Sequence, residues 1–206
     1  MHLIFDFDGT LVDSFNCAIE IFNTLADEFK FRKILSHEAH DLKNLNSRQL
    51  MKHLKIPMYK IPAVLFKAKH CMQKEMSNLH PFPGIPEVVQ SLSDTGLSLG
   101  IVTSNAELNV LLWLERHEIL GCFDFVISAP SYFGKGKTLK QILKANKLDQ
   151  RKVFYIGDET RDIDAAKQCG ISAVAVTWGF NSEAIIAKHN PHYLVRHPKD
   201  ILTIFT

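Results

Sequence analysis

Apolar positions along the chain change their period twice. Residues 3–7 form a short apolar run with two acids, Asp6 and Asp8, at its end, the pattern of a buried strand. From residue 15 to about 79 the period is helical, and Ile19, Ile21, Phe22, Leu25 and Phe29 keep a 3.6-residue stripe. Ser36 reads as the N-cap of a further helix and Ser47 as the cap of a helix over 48–54. Pro62 sits where the first turn of a helix running on to residue 79 would begin. No strand pattern occurs in this stretch. His80-Pro81-Phe82-Pro83-Gly84 then punctuates the chain as a linker.

Beyond the linker the two periods alternate. The pattern predicts helices over 86–94, 106–117, 138–147, 161–168 and 182–188, and strands over 97–103, 123–128, 153–156, 173–177 and 193–195, with a last helical turn in the tail. Trp113 falls on an apolar helical stripe and belongs to the core. The strands are apolar throughout, as Leu-Gly-Ile-Val, Val-Phe-Tyr-Ile and Ala-Val-Ala-Val show, which is expected when helices cover both faces of a sheet. The fold class is therefore α/β, a doubly wound parallel sheet of the Rossmann-like kind. Residues 1–14 and 81–206 would build this core domain, and 15–80 an all-helical domain inserted after its first strand.

Composition narrows the function classes. Of 206 residues 46% are apolar and 22% charged, enough for a buried core. No apolar stretch approaches the roughly 20 residues that span a bilayer, and the acids at the start of the chain interrupt any secretory signal. Membrane partners are not expected. Cys17, Cys71, Cys122 and Cys169 are far apart, which suits reduced thiols and a cytoplasmic location. A net charge of +2 argues against a strongly basic nucleic-acid binder. The charge is uneven, however: residues 14–80 hold eleven Lys and Arg against six Asp and Glu. That excess is either a solvated helix surface or a field that steers an anion toward acids elsewhere.

The chemistry lies at the strand ends, where sheets of this type bind ligands. Asp6-Phe7-Asp8-Gly9-Thr10, Thr103-Ser104-Asn105, Gly134-Lys135-Gly136-Lys137 and Gly157-Asp158-Glu159-Thr160-Arg161-Asp162 would converge on one crevice. Asp6 and Asp8 share a face if the strand continues through them, and two such carboxylates repel unless a cation or proton lies between. Asp158 supplies a third oxygen ligand, a donor set suited to Mg²⁺ and substrate phosphate. Gly9 lets the backbone approach an anion, and Thr103 and Ser104 stand before a helix, where hydroxyls and free N–H groups hold phosphate. A lysine balances the remaining charge.

With these motifs, and with Asp6 to Ser14, Pro83-Gly84-Ile85-Pro86 and Trp178-Gly179-Phe180-Asn181 in the same order, the chain resembles the haloacid-dehalogenase-like phosphohydrolases, close to a phosphoglycolate-phosphatase branch with a helical cap. The resemblance covers nearly the whole chain. It implies that Asp6 is the nucleophile, forming an aspartyl-phosphate, and that Asp8 protonates the leaving alcohol and then activates water. It implies that Asp6, the Asp8 carbonyl and Asp158 hold Mg²⁺, with Asp162 supporting that shell. Gly9, Thr103, Ser104, Asn105 and a lysine would bind the phosphoryl group, and residues 15–79 would form a mobile cap. Relatives usually place proline after the lysine. Here either Lys135 or Lys137 could serve, and Lys135 is favoured because Lys137 more easily points to solvent.

The expected substrate is a small phosphorylated metabolite, acted on by a monomer or dimer. Rival readings are weaker. An EF-hand counted from Asp6 puts Leu11 at the glycine position, and a P-loop ending in Gly136-Lys137-Thr138 needs glycine where Ser131 stands. The ten histidines are scattered and read as surface or cap residues. A sugar-phosphate mutase, a phosphonate hydrolase and a catalytically silent binding protein use the same core and remain alternatives.

Overall fold

The structure, a computed structural model, describes residues 1–129 and 134–206. Six strands form one parallel sheet: β1 His2–Phe5, β2 Ser98–Thr103, β3 Phe125–Ser128, β4 Val153–Gly157, β5 Ser172–Val176 and β6 Tyr193–Val195, in the order β3-β2-β1-β4-β5-β6. Side chains alternate across it. Leu3, Phe5, Leu99, Ile101, Ile156, Val174 and Val176 enter one apolar cluster with helices α4 Ile85–Asp94, α5 Glu107–Arg116 and α9 Asp200–Phe205. Ile4, Val102, Tyr155, Ala173 and Ala175 enter the other, with α6 Lys135–Ala145, α7 Thr160–Gln168 and α8 Glu183–Lys188. Both faces are covered, which is why the strands are apolar without alternation. The strand order reverses at β1, where β2 leads one way and β4 the other, and the carboxyl ends of strands at such a point are where sheets of this type bind ligands.

Between β1 and α4 lie α1 Phe15–Phe29, α2 Ser47–His53 and α3 Ile61–Glu75, with 3₁₀ turns at Asp41–Asn44, Met58–Lys60 and Met76–Asn78. Their apolar stripes meet in a separate cluster that includes Ile21, Leu25, Leu54 and Val64, against which Ile19, Phe22 and Phe29 pack. Two neighbouring chain segments connect these helices to the sheet: Asp13 N donates to His80 O at 3.0 Å and Phe82 N to Leu11 O at 3.1 Å. The Trp113 indole is 2% exposed and donates to Leu79 O at 2.9 Å.

Three local expectations need correction. Ser36 starts a turn, and no α-helix begins at it. Glu38 accepts from Leu35 N at 2.8 Å and Arg32 Nη2 at 2.7 Å, and this fastening leaves a turn and then a 3₁₀ turn where the helix was expected, before α2. The cap of α2 is Asn46 and not Ser47. Asn46 accepts from Gln49 N at 3.0 Å while Gln49 Oε1 accepts from Asn46 N at 2.9 Å, a reciprocal pair that Ser47 could not make with its own neighbour. Helix α6 begins at Lys135, three residues before the expected start, because Gly134 O accepts from Thr138 N at 3.1 Å and closes a turn there. Lys135 is thus a helix residue and not a loop residue.

Candidate active site

The strand β1 stops at Phe5, short of the residues 3–7 expected, yet Asp6 N still donates to Ile156 O at 2.8 Å, which fixes Asp6 at the carboxyl end of the sheet. The chain then folds tightly: Leu11 N donates to Phe7 O at 2.9 Å and Gly9 N to Val12 O at 2.9 Å. Gly9 has φ +79°, and a Cβ there would lie 2.2 Å from Asp158 Oδ2. No L side chain fits that place. The absence of a side chain lets the loop close on Asp158, whose Oδ1 accepts from Thr10 Oγ1 at 2.9 Å and whose Oδ2 accepts from Phe180 N at 2.7 Å.

Asp6, Asp158 and Asp162 each offer a carboxylate oxygen, all within 4.8 Å of one another, and all three residues are buried. Lys135, 2% exposed, lies between two of them: it pairs with Asp6 Oδ2 and, at 2.7 Å, with Asp162 Oδ1. An ammonium at a helix N-terminus opposes the helix dipole, and the two carboxylates offset that. Asp6 Oδ1 accepts from Phe7 N at 2.7 Å, and Asp162 Oδ2 from Glu159 N at 3.0 Å. Asp8 stands at the rim, partly exposed, with Oδ2 accepting from Asn105 Nδ2 at 3.1 Å. Its Oδ1 is enclosed and has no hydrogen-bond partner among the described residues.

Electrostatics follow from dryness. Burial pushes the Asp6 carboxyl up to about 7, against the pull of the Lys135 ammonium. Burial raises Asp8, with Asn105 opposing, and raises Asp158 well above the carboxylate range, helped by Glu159 and Asp6. One buried ammonium is too little charge for these acids. The donor set therefore fits a divalent cation of the Mg²⁺ type, which takes oxygen ligands and would replace the protons that burial otherwise favours.

The other expected phosphate-binding residues lie at the end of β2. Thr103 is fully buried, and its Oγ1 accepts from Asn105 N at 3.0 Å, leaving its own hydroxyl proton to give. Ser104 is partly exposed. The Asn105 side chain is committed to Asp8, to Ala106 N at 2.8 Å and to Met76 Sδ at 3.5 Å. Lys137 is exposed on α6, away from the carboxylates that Lys135 joins.

Several contributing residues have no assigned role in the sequence reading. Thr10 and Phe180 hold Asp158, and both sit inside quoted motifs, so their position was visible though their task was not. Lys43 gave no signal. Its ammonium donates to Gly179 O at 2.7 Å, lies 4.3 Å from the centre of the Phe15 ring and is pushed down by burial. Asn181 accepts from Thr160 N at 3.0 Å and donates to Leu45 O at 3.0 Å, joining α7 to the helical segment.

Residues 3–176 match the family model described as haloacid dehalogenase-like hydrolase. The chain is 32% identical to the phosphoglycolate phosphatase of Synechococcus elongatus over 99% of its own length and 96% of the relative's. It is 25% identical to the N-acetylmuramic acid 6-phosphate phosphatase of Pseudomonas aeruginosa, covering 98% of this chain and 93% of that one. A solved haloacid dehalogenase-like hydrolase from Streptococcus pneumoniae superposes with a TM-score of 0.81 over 100% of this chain and 98% of its own, at 23% identity.

Proposed function

The chain belongs to the haloacid dehalogenase-like hydrolase family and is a phosphatase like its curated relatives; from that premise we propose that it hydrolyses a small phosphomonoester in two steps through Asp6, with Mg²⁺ as cofactor. The observation that supports this most is the buried group of Asp6, Asp158, Asp162 and Lys135 at the switch point of the sheet, with Asp8 at its rim. Asp6 has the position of a nucleophile: it is dry, fixed by Phe7 N, and kept ionisable by Lys135.

Asp6, the Asp8 carbonyl and Asp158 would hold Mg²⁺, with Asp162 beside them. When bound, the ion neutralises charge on the phosphoryl oxygens. In the first step an Asp6 oxygen bonds to phosphorus as the bond to the ester oxygen breaks. Asp8, whose raised pKa suits a proton donor, gives its proton to the leaving oxygen and releases the alcohol. In the second step Asp8 takes a proton from water as the water oxygen bonds to phosphorus, and the Asp6–phosphorus bond breaks to give inorganic phosphate. Asn105 orients Asp8, while Thr103, Ser104 and Lys135 bind the transferring oxygens. Residues 15–80 act as the cap that closes over the crevice and excludes water, and Lys43 and Asn181 are its points of contact with the core. A closed cap leaves room for a metabolite and little for a polymer.

Phosphoglycolate is the first candidate substrate, by likeness to the Synechococcus relative. The test is phosphate release from an aryl phosphate and from phosphoglycolate, by the parent protein and Asp6→Asn, with Mg²⁺ and in chelator. Turnover should need both Mg²⁺ and Asp6. Parental rates in Asp6→Asn would refute the covalent route, and full activity in chelator the metal.

A further inference from the structure

Four lysines of the helical segment are partly withdrawn from water: Lys43, Lys60, Lys67 and Lys69. Three have partners. Lys43 donates to Gly179 O at 2.7 Å, Lys60 donates to Phe29 O at 2.9 Å, and Lys67 pairs with Glu28 Oε1 at 3.5 Å. Lys69 has no hydrogen bond or ion pair among the described residues. An ammonium that gives up part of its water and gains no partner carries a cost in the folded protein, which an anion placed beside it would relieve.

Its position says which ligand. Lys69, Met72 and Met76 follow one another at spacings of three and four, so they line one side of α3 and the 3₁₀ turn that continues it. Met76 Sδ receives Asn105 Nδ2 at 3.5 Å, and the same amide nitrogen donates to Asp8 Oδ2 at 3.1 Å. Met72 accepts from Cys17 Sγ at 3.8 Å, and both residues pack against the sheet cluster as well as the helical one. The row therefore runs away from Asp8, with Lys69 roughly 10 Å along the axis from Met76. Asp8 is also the carboxylate whose field reaches the Lys69 ammonium, which burial otherwise pushes down. Burial, then Glu75, Glu20 and Asp8, hold the thiol of Cys17, the neighbour of Met72, up at about 11, so it stays uncharged beside this row.

We propose that Lys69 binds a second anionic group on the substrate, carried by the leaving alcohol a short chain away from the oxygen that Asp8 protonates. The inference rests on the phosphatase reading, because it takes Asp8 to mark the leaving-group side. It makes the preferred substrate a small phosphomonoester with a further carboxylate or phosphate. A neutral ester leaves the ammonium without a partner, so selectivity arises from what the wrong substrate fails to satisfy. Lys69 is then a specificity-determining residue.

The experiment compares kcat/KM for phosphoglycolate, ethylene glycol bisphosphate and ethyl phosphate, in the parent protein, Lys69→Met and Lys69→Arg, with Mg²⁺. Methionine keeps the apolar stem and removes the charge. The parent should prefer at least one anionic substrate over ethyl phosphate by about 10- to 100-fold, the worth of a hydrogen bond to a charged group. In Lys69→Met that ratio should fall toward one, mainly through KM, and Lys69→Arg should restore most of it. The two anionic substrates separate carboxylate from phosphate as the group bound. An equal loss on all three substrates would give Lys69 a structural role and overturn the proposal, as would a preference that survives in Lys69→Met. Failure of the parent on every substrate is a different result, which removes the phosphatase reading and this inference with it.

Discussion

Replacing Lys135 by methionine tests the electrostatic account of the site. The residue is 2% exposed and is the ammonium that joins Asp6 to Asp162, 2.7 Å from the latter. Breaking a buried ion pair from one side costs about 3–5 kcal/mol, since the partner stays buried without compensation. That is a large share of the roughly 5–15 kcal/mol that holds a domain folded. The cost should depend on pH. Burial already holds Asp6 at about 7, above the ordinary 3.8, so the stability from this proton is present in acid and lost as pH rises through 7. Without the ammonium the Asp6 carboxyl rises further. Below pH 7 both proteins carry the proton, and above it only the variant must retain it to stay folded. The stability gap should thus be flat in acid and widen by about 1.4 kcal/mol per pH unit above 7. Urea unfolding of both proteins in chelator, between pH 6 and 9, measures the gap directly. Turnover with Mg²⁺ should fall about 10²- to 10³-fold, as for loss of a buried group that stabilises transferring charge. Lys137→Met, on the exposed side of α6, should change neither quantity much. A gap that ignores pH, or an equal effect of the two substitutions, would refute the reasoning.

Gly9→Ala should lose about 2 kcal/mol or more, because the left-handed backbone and the 2.2 Å approach to Asp158 Oδ2 both exclude a Cβ; a melting temperature and activity like the parent's would contradict this. Ca²⁺ in place of Mg²⁺ should inhibit, as its longer bonds and larger ligand number misplace Asp6 relative to phosphate, and full turnover in Ca²⁺ would count against the assigned site. Glu38 is held at about 2, first by Arg32 and then by Leu35 N, so its contribution is present above its ordinary 4.5 and disappears as pH falls toward 2. Arg32 is about a third exposed, and water screens the pair to about 1 kcal/mol at most. Glu38→Gln should therefore be less stable than the parent at pH 6 and equal to it near pH 2 in urea unfolding, and a difference that persists in acid would rule the ion pair out as its source.

The alternation of apolar runs after Gly84 determined the parallel α/β core, because strands buried on both faces leave a pattern that few other folds require. The strand ends likewise marked Asp6, Asp8 and Asp158, since acids at or just after an apolar run are costly to bury without a partner, and Asp162 entered through the family resemblance. Local rules failed where two neighbours competed for one task. Asn46 and Ser47 are both good caps, and Gln49 three residues on settled the choice for Asn46. Ser36 had a cap's chemistry, but Glu38 bonded backward to Leu35 N and Arg32 and used the turn itself.

Tertiary structure alone decided the charges. The sequence favoured Lys135 over Lys137 without reaching its partners, and the start of α6 buries Lys135 against Asp6 and Asp162 while Lys137 faces water. The bond from the Asn105 amide to Asp8, distant in the chain, left no trace in the sequence. Lys43 and Lys69 carried no signal in a lysine-rich helical stretch, because a lysine's role depends on how much water it loses and which carbonyl or carboxylate lies across the gap. Desolvation and long-range pairing have no period along the chain, and so they were fixed only when the segments met.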